Sequence, residues 1–319
     1  MEEVSSKMQE FYIDSSVGPI HCCQWLPDGA CKGVFQIIHG IQEYVARYDH
    51  FASFLADHGY IVVGADHPGH GKSVSNESAL GYLSGGWKEA VSIIHRLHKK
   101  VHGENPKLPY IMFGHSMGSF LLTTYLSVCQ DEIDAAIISG TGWQPKALLT
   151  AGQLLCNAEN RRLGEKQCST LLLKMMFGPY NKPFMPADTP YEWICSDKNV
   201  VDIYAADPLC TWKPTVQLCS QMLNGIRKNQ NQKNLSRIAK DLPLFFIAGQ
   251  KDPVGNFGNG VLRAVEAFKL AGIEDILVEL YPDMRHECHN EVGKEKVYYD
   301  ILAWIETKSL STQGKGCNL

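Results

Sequence analysis

The stretch at 112–120, MFGHSMGSF, places one serine between two glycines directly after an apolar run. The preceding residues predict a strand over 109–115, and the run FLLTTYLSVC predicts a helix over 120–129. A G-x-S-x-G pattern between a strand and a helix is typical of a nucleophile elbow, a sharp turn whose glycines avoid a collision with the neighbouring chain. Ser116 is therefore a candidate nucleophile at a helix N-terminus, where the dipole favours negative charge. The alternative is a buried turn residue.

Apolar runs of strand-like composition recur on both sides of this motif. They lie at 33–40, 60–66, 109–115, 134–140, 242–249 and 275–281. Stretches with helical spacing lie between them, at 44–55, 90–101, 261–268 and 297–305. This alternation predicts an α/β fold with a mostly parallel sheet that is flanked by helices on both sides. The opening segments around Gly18 and Pro19 instead predict an antiparallel hairpin at the sheet edge.

The alternation of strands and helices fails from about Trp143 to Asn234. Helical patterns and proline-bearing loops such as GPYNKPFMPADTP replace the strands there, and the chain returns through the polar run RKNQNQKN. The pattern predicts a helical insertion over 143–234 between two core strands. The core domain would then consist of residues 1–142 and 235–319.

The composition of the 319-residue chain is that of an ordinary globular protein, with 45% hydrophobic residues, 20% charged residues and a net charge of -4. Because a basic excess is lacking, we expect no nucleic-acid partner. The acidic N-terminus does not match a secretory signal, and no apolar run approaches the ~20 residues of a membrane span. No glycine-rich phosphate loop occurs, so no nucleotide cofactor is expected.

The chain contains eleven cysteines. Their odd number and irregular spacing argue against a disulfide framework and predict mostly reduced, buried thiols in a cytoplasmic protein. The adjacent Cys22 and Cys23 and the C-terminal Cys317 are the candidates for reactive thiols, although neighbouring strand residues point to opposite faces. Only two residues follow Cys317, so this end of the sequence does not match a prenylation signal.

A nucleophilic serine needs a base and an acid that orients the base, and after an elbow of this type both follow later strands in the order Ser, acid, His. Asp252 follows the predicted strand at 242–249, and His286 follows the one at 275–281. The carboxyl ends of parallel strands meet at one edge of a sheet, so both side chains should lie on the edge that carries Ser116. The sequence predicts these three residues as a catalytic triad.

Other residues compete for these roles. Asp283 is an alternative acid but lies too near His286 in the chain, and His115 is interpreted as a packed neighbour because consecutive residues diverge at the turn. His289 is a competing base, for which the alternative is a solvent-facing side chain. His286 and His289 could form a metal pair, but no other Cys, His or carboxylate cluster completes such a site, so we expect no metal.

Acyl transfer also needs two hydrogen-bond donors for the developing oxyanion. The predicted strand at 33–40 ends in HGI at 39–41, the position from which one backbone N–H is supplied in sites of this kind. The residue after the nucleophile, Met117, would supply the second donor. The alternative for HGI is a simple turn from strand to helix.

Four segments of the chain form a jointly specific set. They are HGIQEYVARYDHFASFLADHGYIVVGADHPGHGKS at 39–73, GHSMG at 114–118, GQKDPV at 249–254 and YPDMRHE at 281–287. Together they resemble the α/β-hydrolase family of monoacylglycerol lipases and lysophospholipases, which is grouped with the serine aminopeptidase S33 hydrolases. The resemblance implies the α/β-hydrolase fold, with Ser116 as nucleophile, Asp252 as acid and His286 as base.

The resemblance also implies that the backbone N–H groups of Ile41 and Met117 form the oxyanion hole and that 143–234 forms a helical cap over the site. In monoacylglycerol lipases the first motif reads H-G-x-x-E-H, whereas Tyr44 stands here in place of the second histidine. The D-H-x-G-H-G motif carries Pro68. Neither departure touches the triad, but both concern the pocket of the leaving group.

Glu43 and Arg47 match positions that lie near the glycerol end of the pocket in monoacylglycerol lipases, which implies a contact with a polar head group. The alternative, which we favour, is an i,i+4 ion pair on the first turn of a helix, worth ~0.3–0.5 kcal/mol. The run LLLKMMF at 171–177 could line an acyl pocket, dock on a lipid surface or pack against the core.

These patterns predict a serine hydrolase that cleaves carboxylic esters, with lipid monoesters such as monoacylglycerols or lysophospholipids as substrates, no cofactor, and transient contact of the cap with a membrane surface. An S33-type peptidase or amidase would use the same triad but needs an acidic or polar pocket for a peptide N-terminus. A non-catalytic binding protein on the same fold is the alternative of a different class, and the intact Ser116, Asp252 and His286 argue against it. Dehalogenases and epoxide hydrolases are disfavoured because they carry Asp in place of Ser116.

Overall fold

The computed structural model of the protein describes residues 8–74, 79–129 and 133–313. Within them one sheet is formed by β1 (Met8–Ile13), β2 (Ile20–Trp25), β3 (Gly33–Ile38), β4 (Tyr60–Ala65), β5 (Tyr110–His115), β6 (Ala135–Ser139), β7 (Leu244–Gly249) and β8 (Ile276–Tyr281). The strand order is β1-β2-β4-β3-β5-β6-β7-β8. β2 pairs antiparallel with β1 and with β4, and all other neighbours pair parallel. The predicted α/β fold and the predicted edge hairpin are both confirmed.

Ten α-helices lie within the described residues. They are α1 (Asp49–Asp57), α2 (Gly86–Glu104), α3 (Met117–Val128), α4 (Lys146–Leu163), α5 (Thr170–Met176), α6 (Lys198–Ala206), α7 (Val216–Asn229), α8 (Gln232–Leu235), α9 (Asn259–Leu270) and α10 (Lys294–Gln313). Short 3-10 turns lie at Val45–Tyr48 and Lys182–Phe184. In the part of the chain that the structure describes, no helix is both long enough and apolar enough to span a bilayer.

Helices cover both faces of the sheet, which explains why the central strands are mostly apolar and are buried along their whole length. In β3, Val34 and Ile38 face the cluster formed with α2, α3 and α9, whereas Phe35 and Ile37 face the cluster formed with α1 and α10. The core therefore consists of two apolar layers that are separated by the sheet.

The direction of strand addition reverses at β3, because β4 lies on one side of it and β5 on the other. In open parallel sheets, such a switch point leaves a crevice outside the carboxyl ends of the strands, where ligands bind. The HGI sequence at 39–41 directly follows β3, and Ser116 directly follows β5. The topology thus brings both sequence motifs to the same crevice.

We call residues 143–234 the cap segment. It carries α4 to α8 and, among the described residues, adds no strand to the sheet. β6 and β7 are parallel neighbours, so the connection leaves the sheet at the carboxyl end of β6 and returns at the amino end of β7. Small apolar clusters inside the segment form around Cys195 and Tyr204 and around Cys156 and Leu172. The division into a core domain and a cap domain stays a prediction.

The ten cysteines of the described residues carry free thiols. Cys22 and Cys23 are fully buried on opposite faces of β2, as strand geometry predicts. Burial raises the pKa of Cys23 to about 12 and that of Cys22 well above the ordinary value. The interpretation of this pair as reactive thiols is therefore wrong, because the thiolate is the reactive form. Cys317 lies outside the described residues.

Candidate active site

Ser116 occupies the sharp turn between β5 and α3. Its backbone has φ 52° and ψ -119°, a left-handed conformation that costs about 1–3 kcal/mol in a residue other than glycine. Its N–H donates to the carbonyl oxygen of Ser139, 3.0 Å away. A Cβ at Gly118 would overlap the carbonyl oxygen of Ile38, and a Cβ at Gly114 would lie 2.6 Å from the carbonyl oxygen of Gly118. The two glycines are thus required by close backbone approach.

Asp252 and His286 meet at the same edge of the sheet. Asp252 follows β7 and His286 follows β8; Oδ2 of the aspartate lies 2.9 Å from Nδ1 of the imidazole. Both side chains are buried. Because a carboxylate accepts, Nδ1 carries the proton in this pair, and Nε2 is left free to act as a base. Oδ1 of Asp252 accepts from the N–H of Val254 at 2.8 Å, which fixes the carboxylate.

The pKa of His286 reflects two opposing influences. Burial lowers the pKa, since the imidazolium would lose its hydration, but the Asp252 carboxylate and its hydrogen bond raise it. The net pKa is above that of an ordinary histidine. A raised pKa means that the imidazole takes up a proton readily, which is what general-base chemistry requires.

Gly140 directly follows β6 and lies beside the imidazole rings of His115 and His286. Its φ is 57°, and a Cβ placed there would lie 2.9 Å from Cε1 of His115 and 3.1 Å from Cε1 of His286. Only glycine leaves room for the two imidazoles, whose ring centroids are 4.7 Å apart. The sequence interpretation missed this residue, although a glycine at the end of the run at 134–140 is a signal that could have indicated it.

The HGI sequence after β3 passes directly beside the elbow. A Cβ at Gly40 would lie 3.0 Å from Cβ of Ser116. Ile41 follows Gly40, and Met117 is the first residue of α3. In the described part of the chain, neither the N–H of Ile41 nor that of Met117 donates to another protein group. Two backbone donors therefore remain available on either side of Ser116.

Glu43 and Arg47 form the expected i,i+4 ion pair, with Nη1 of Arg47 2.9 Å from Oε2 of Glu43. Glu43 is buried, however, and the side chain of Arg47 is only 11% exposed, so the pair does not lie on an open helix surface. Arg47 also donates to both carboxylate oxygens of Glu287, each at 2.9 Å. The other oxygen of Glu43 accepts from the N–H of Gly40 and from the hydroxyl of Tyr48. The sequence interpretation missed Glu287, the residue after His286.

The two carboxylates that share Arg47 differ in pKa. Burial raises the pKa of Glu43 to about 7. Burial also acts on Glu287, but the two hydrogen bonds and the charge of Arg47 outweigh it and lower its pKa to about 2. Glu287 is therefore the ionised partner of Arg47, and Glu43 takes up a proton near neutral pH.

The expectation that His289 faces solvent is wrong. The side chain is buried, its ring stacks on Tyr48 with centroids 4.6 Å apart, and it lies edge-on to His115 at 4.9 Å. Burial lowers the pKa of His289 to about 3, so the ring is neutral. His115 is a packed neighbour, as predicted, with Nδ1 3.2 Å from Oγ of Ser139.

The remaining candidates lie away from this pair of carboxylate and imidazole. Asp283, the alternative acid, is exposed and pairs with Lys251 at 2.9 Å. Within the described residues, no three His, Cys, Asp or Glu side chains are arranged to hold a metal.

In the run at 171–177, Leu172 is buried inside the cap segment, while Leu171 and Met175 are exposed. One face of α5 therefore packs against the cap segment, and the other face is open to solvent.

Comparisons with known proteins show the family to which the chain is similar. The family model described as serine aminopeptidase, S33, matches residues 29–293. A monoacylglycerol lipase of Mycolicibacterium smegmatis is 27% identical over 88% of this chain and 90% of its own length. A monoglyceride lipase of Rattus norvegicus is 23% identical over 93% of this chain and 90% of its own length.

Solved structures show the same fold. A thermostable carboxyl esterase from Bacillus coagulans, in complex with glycerol, has a TM-score of 0.87 and 26% identity and covers 96% of this chain and 100% of its own. A soluble variant of the monoglyceride lipase from Saccharomyces cerevisiae, with a substrate analog, has a TM-score of 0.75 and 19% identity, with coverages of 97% and 98%. Because the family model spans 29–293 of a 319-residue chain, the chain belongs to the serine aminopeptidase S33 family of α/β-hydrolases, and its relatives are of the monoacylglycerol lipase type.

Proposed function

We propose that the protein is a serine hydrolase that cleaves carboxylic esters of lipids, with monoacylglycerols or lysophospholipids as substrates. The observation that carries the proposal is the buried Asp252–His286 pair, 2.9 Å apart, on the sheet edge that also carries the strained Ser116. The relatives named monoacylglycerol lipase and monoglyceride lipase support the substrate class.

The reaction follows from the proton positions. Nε2 of His286 takes the hydroxyl proton of Ser116 as Oγ attacks the ester carbonyl, while Asp252 holds Nδ1–H and stabilises the imidazolium. The N–H groups of Ile41 and Met117 stabilise the oxyanion. The imidazolium returns its proton to the leaving alcohol, and an acyl-enzyme remains. His286 then deprotonates a water molecule, which releases the fatty acid and restores Ser116.

Contact of the cap segment with a lipid surface is part of the proposal. The support is a set of exposed apolar side chains on α4, on α5 and after the second 3-10 turn: Leu148, Leu154, Leu171, Met175 and Met185. Side chains of this kind gain free energy when they leave water for a bilayer interface. The segment would thus bring the crevice to a membrane-borne substrate.

For Glu43 and Arg47 we propose a supporting role rather than a contact with the polar head group. Both oxygens of Glu43 already accept from protein donors, and Arg47 is engaged by two carboxylates. Glu43 holds the N–H of Gly40, the residue before Ile41. The pair therefore stabilises the loop that would carry one oxyanion donor.

Fluorophosphonate labelling and ester turnover test the proposal directly. Wild-type protein should be labelled and should hydrolyse p-nitrophenyl esters and monoacylglycerols, whereas Ser116→Ala should lose both properties while remaining folded. Asp252→Asn should lower kcat by about 10⁴ because the imidazole is held in the wrong tautomer. Asp283→Asn is the matched control and should keep wild-type activity. Retained turnover in Ser116→Ala would contradict the assignment.

The family description as an aminopeptidase favours a second candidate, an S33-type peptidase or amidase with the same triad. Turnover of aminoacyl p-nitroanilides that exceeds turnover of the matching esters would favour it. Labelling absent from the wild type would instead favour a non-catalytic binding protein.

We also propose a cytoplasmic location. The ten free thiols of the described residues are compatible with a reducing compartment. Fluorescence microscopy of a tagged protein, together with fractionation, would test this location, and recovery from a secreted fraction would contradict it.

A further inference from the structure

The loop that carries Ile41 is attached to the cap segment as well as to the core. The backbone of Gln42 is left-handed, with φ 58°, a conformation that surrounding contacts must hold in a residue other than glycine. The hydroxyl of Tyr204, on α6, donates to the carbonyl oxygen of Gln42 at 2.9 Å. The side-chain amide of Gln42 donates to the carbonyl oxygen of Trp212 at 2.5 Å. Both partners belong to the cap segment.

A third bond joins the next part of this loop to the cap segment. The hydroxyl of Tyr44 donates to Oδ2 of Asp207, 2.7 Å away. Asp207 is fixed in turn, because its Oδ1 accepts from the N–H of Leu209 at 2.8 Å. Burial and the Asp207 carboxylate raise the pKa of Tyr44, so its hydroxyl remains a donor at neutral pH. The contact is between two oriented groups, not between mobile surface side chains.

The core holds this loop as well, because Nδ1 of His39 lies 2.7 Å from the carbonyl oxygen of Gly40 and the side chain of Glu43 accepts from Arg47 and Tyr48. The N–H of Gly40 donates to Glu43 on one side, and the N–H of Val45 donates to Asp66 at 2.8 Å on the other. Between these flanks, Gln42 and Tyr44 are held by the cap segment. The peptide group that presents the N–H of Ile41 is held on its Gly40 side by His39 of the core, and the next residue, Gln42, is held by the cap segment, so its orientation depends on both attachments.

We infer that the part of the cap segment at 191–215, which we call the inner part, positions the oxyanion donor of Ile41 through the bonds from Tyr204 to Gln42 and from Tyr44 to Asp207. Tyr44, Tyr204 and Asp207 are then positioning residues for the reaction and not only attachments of the cap. This inference rests on the proposed function, because it concerns the oxyanion hole of that same site. Removal of these bonds should lower kcat, since an oxyanion donor acts in the transition state, and should leave KM nearly unchanged.

The decisive comparison is between Tyr44→Phe and Tyr82→Phe. The hydroxyl of Tyr82 donates to Oε1 of Glu165 at 2.9 Å, so it also joins the core to the cap segment through a tyrosine and a carboxylate, but neither residue is part of the loop that carries Ile41. We expect Tyr44→Phe to lower kcat about tenfold, less than the 10²–10³ that follows loss of a whole donor, with KM within about twofold. Tyr82→Phe should leave both constants within about twofold of the wild type.

Further variants test whether the loss of kcat results from the hydrogen bond between Tyr44 and Asp207. Asp207→Ala should lower kcat at least as much as Tyr44→Phe, because it loses the bond from Tyr44 and also the one from the N–H of Leu209, and the double variant should be no worse than Asp207→Ala alone. Tyr204→Phe removes the bond to Gln42 while keeping the ring, and it provides an independent test if Tyr44→Phe does not fold. Its kcat should also fall with KM little changed.

The outcomes separate this inference from the proposed function. If fluorophosphonate fails to label Ser116 in the wild type, the proposed function fails and no oxyanion hole needs explanation. If the wild type is labelled and active, and Tyr44→Phe and Tyr204→Phe keep wild-type kcat, the inference is overturned while the function stands. Equal losses in Tyr44→Phe and Tyr82→Phe would also overturn it, because the effect would then belong to cap attachment in general.

Discussion

The two parts of the cap segment meet their surroundings in different ways. The part at 146–189, which we call the outer part, exposes Leu148, Leu154, Leu171, Met175 and Met185. The inner part at 191–215 is hydrogen-bonded to the loops of the active site. Its Trp193 and Ile194 carbonyl oxygens accept from the N–H groups of His286 and Glu287, at 3.4 and 2.8 Å.

From this difference we infer that the two parts of the cap segment have separate roles along the chain. The inner part contacts both loops that flank Ser116, since Tyr204 reaches the oxyanion loop and Trp193 packs on His286 with ring centroids 5.1 Å apart. The outer part offers apolar side chains to the surroundings. Substitutions in the inner part should therefore change the chemistry, and substitutions in the outer part should change access to lipid.

The largest effect on stability should come from Arg47, whose guanidinium stacks on Tyr204 of the inner part. The guanidinium of Arg47 lies 4.8 Å from the ring centroid of Tyr204 and pairs with Glu43 and Glu287. Arg47→Met should lower the free energy of unfolding by about 3–5 kcal/mol, because the ionised carboxylate of Glu287 remains buried without its cation. Urea denaturation measures this loss. Lys198→Met is the control, since its pair with Asp188 is exposed, and it should not measurably change the urea midpoint.

A similar loss in Lys198→Met and Arg47→Met would contradict the comparison. It would mean that the buried network at the inner part contributes no more to stability than an exposed ion pair.

A smaller effect should appear in the pH dependence of stability. The pKa of Glu43 is raised from 4.5 to about 7 by burial, so the folded state binds the proton more tightly than the unfolded state. The stabilisation from this group is complete below about pH 4.5 and is lost as the pH rises through 7, with a slope of up to about 1.4 kcal/mol per pH unit. Glu43→Gln resembles the protonated form and should lack this slope.

Urea midpoints measured between pH 4.5 and 7.5 test this expectation. Asp283→Asn should keep the pH dependence of the wild type, because Asp283 is exposed and remote from Arg47. An unchanged slope in Glu43→Gln would show that another group is responsible.

The smallest effect should follow substitution of exposed apolar residues in the outer part, and it should concern the hydrolysis of lipid in vesicles. Leu171 and Met175 are 49% and 48% exposed, and the double variant Leu171→Ser/Met175→Ser should lower hydrolysis of long-chain monoacylglycerol in vesicles about tenfold. Turnover of p-nitrophenyl butyrate in solution should stay unchanged. Ile203→Ser is the matched control, because Ile203 is 70% exposed on α6 of the inner part. A loss in Ile203→Ser equal to that of the double variant would break the distinction between the two parts.

The strands and the order of the candidate residues could be predicted because their signals are local. Each strand from β3 to β8 is an apolar run of five or six residues, and Ser116, Asp252 and His286 each follow such a run closely. A parallel sheet then brings the ends of these strands together without further information. The roles of the three residues stay proposals, but their placement needed only the strand pattern.

The contacts that hold the site could not be predicted, because they join distant parts of the sequence. Arg47 and Glu287 are 240 positions apart, and Tyr204 and Gln42 are 162 positions apart. The burial of His289 depends on Tyr48 and Phe113, two aromatic residues that come from different elements. A polar residue three positions after His286 gives no local signal of such an environment, so the expectation of a solvent-facing side chain failed.

The placement of the cap segment between two neighbouring strands has a consequence for remodelling the enzyme. The side-chain amide of Gln230 donates to the carbonyl oxygen of Gln144 at 2.7 Å and accepts from its N–H at 3.3 Å, so the cap segment begins and ends close together. The entropy of closing such an excursion grows only with the logarithm of its length. The length of the cap segment can therefore vary with little entropic penalty, and exchange of the outer part requires that the contacts of Leu149 with the core and of Phe184 with Arg285 are kept. A chimera that keeps 191–215 and replaces 146–189 should retain its turnover number on soluble esters and acquire the surface preference of the donor.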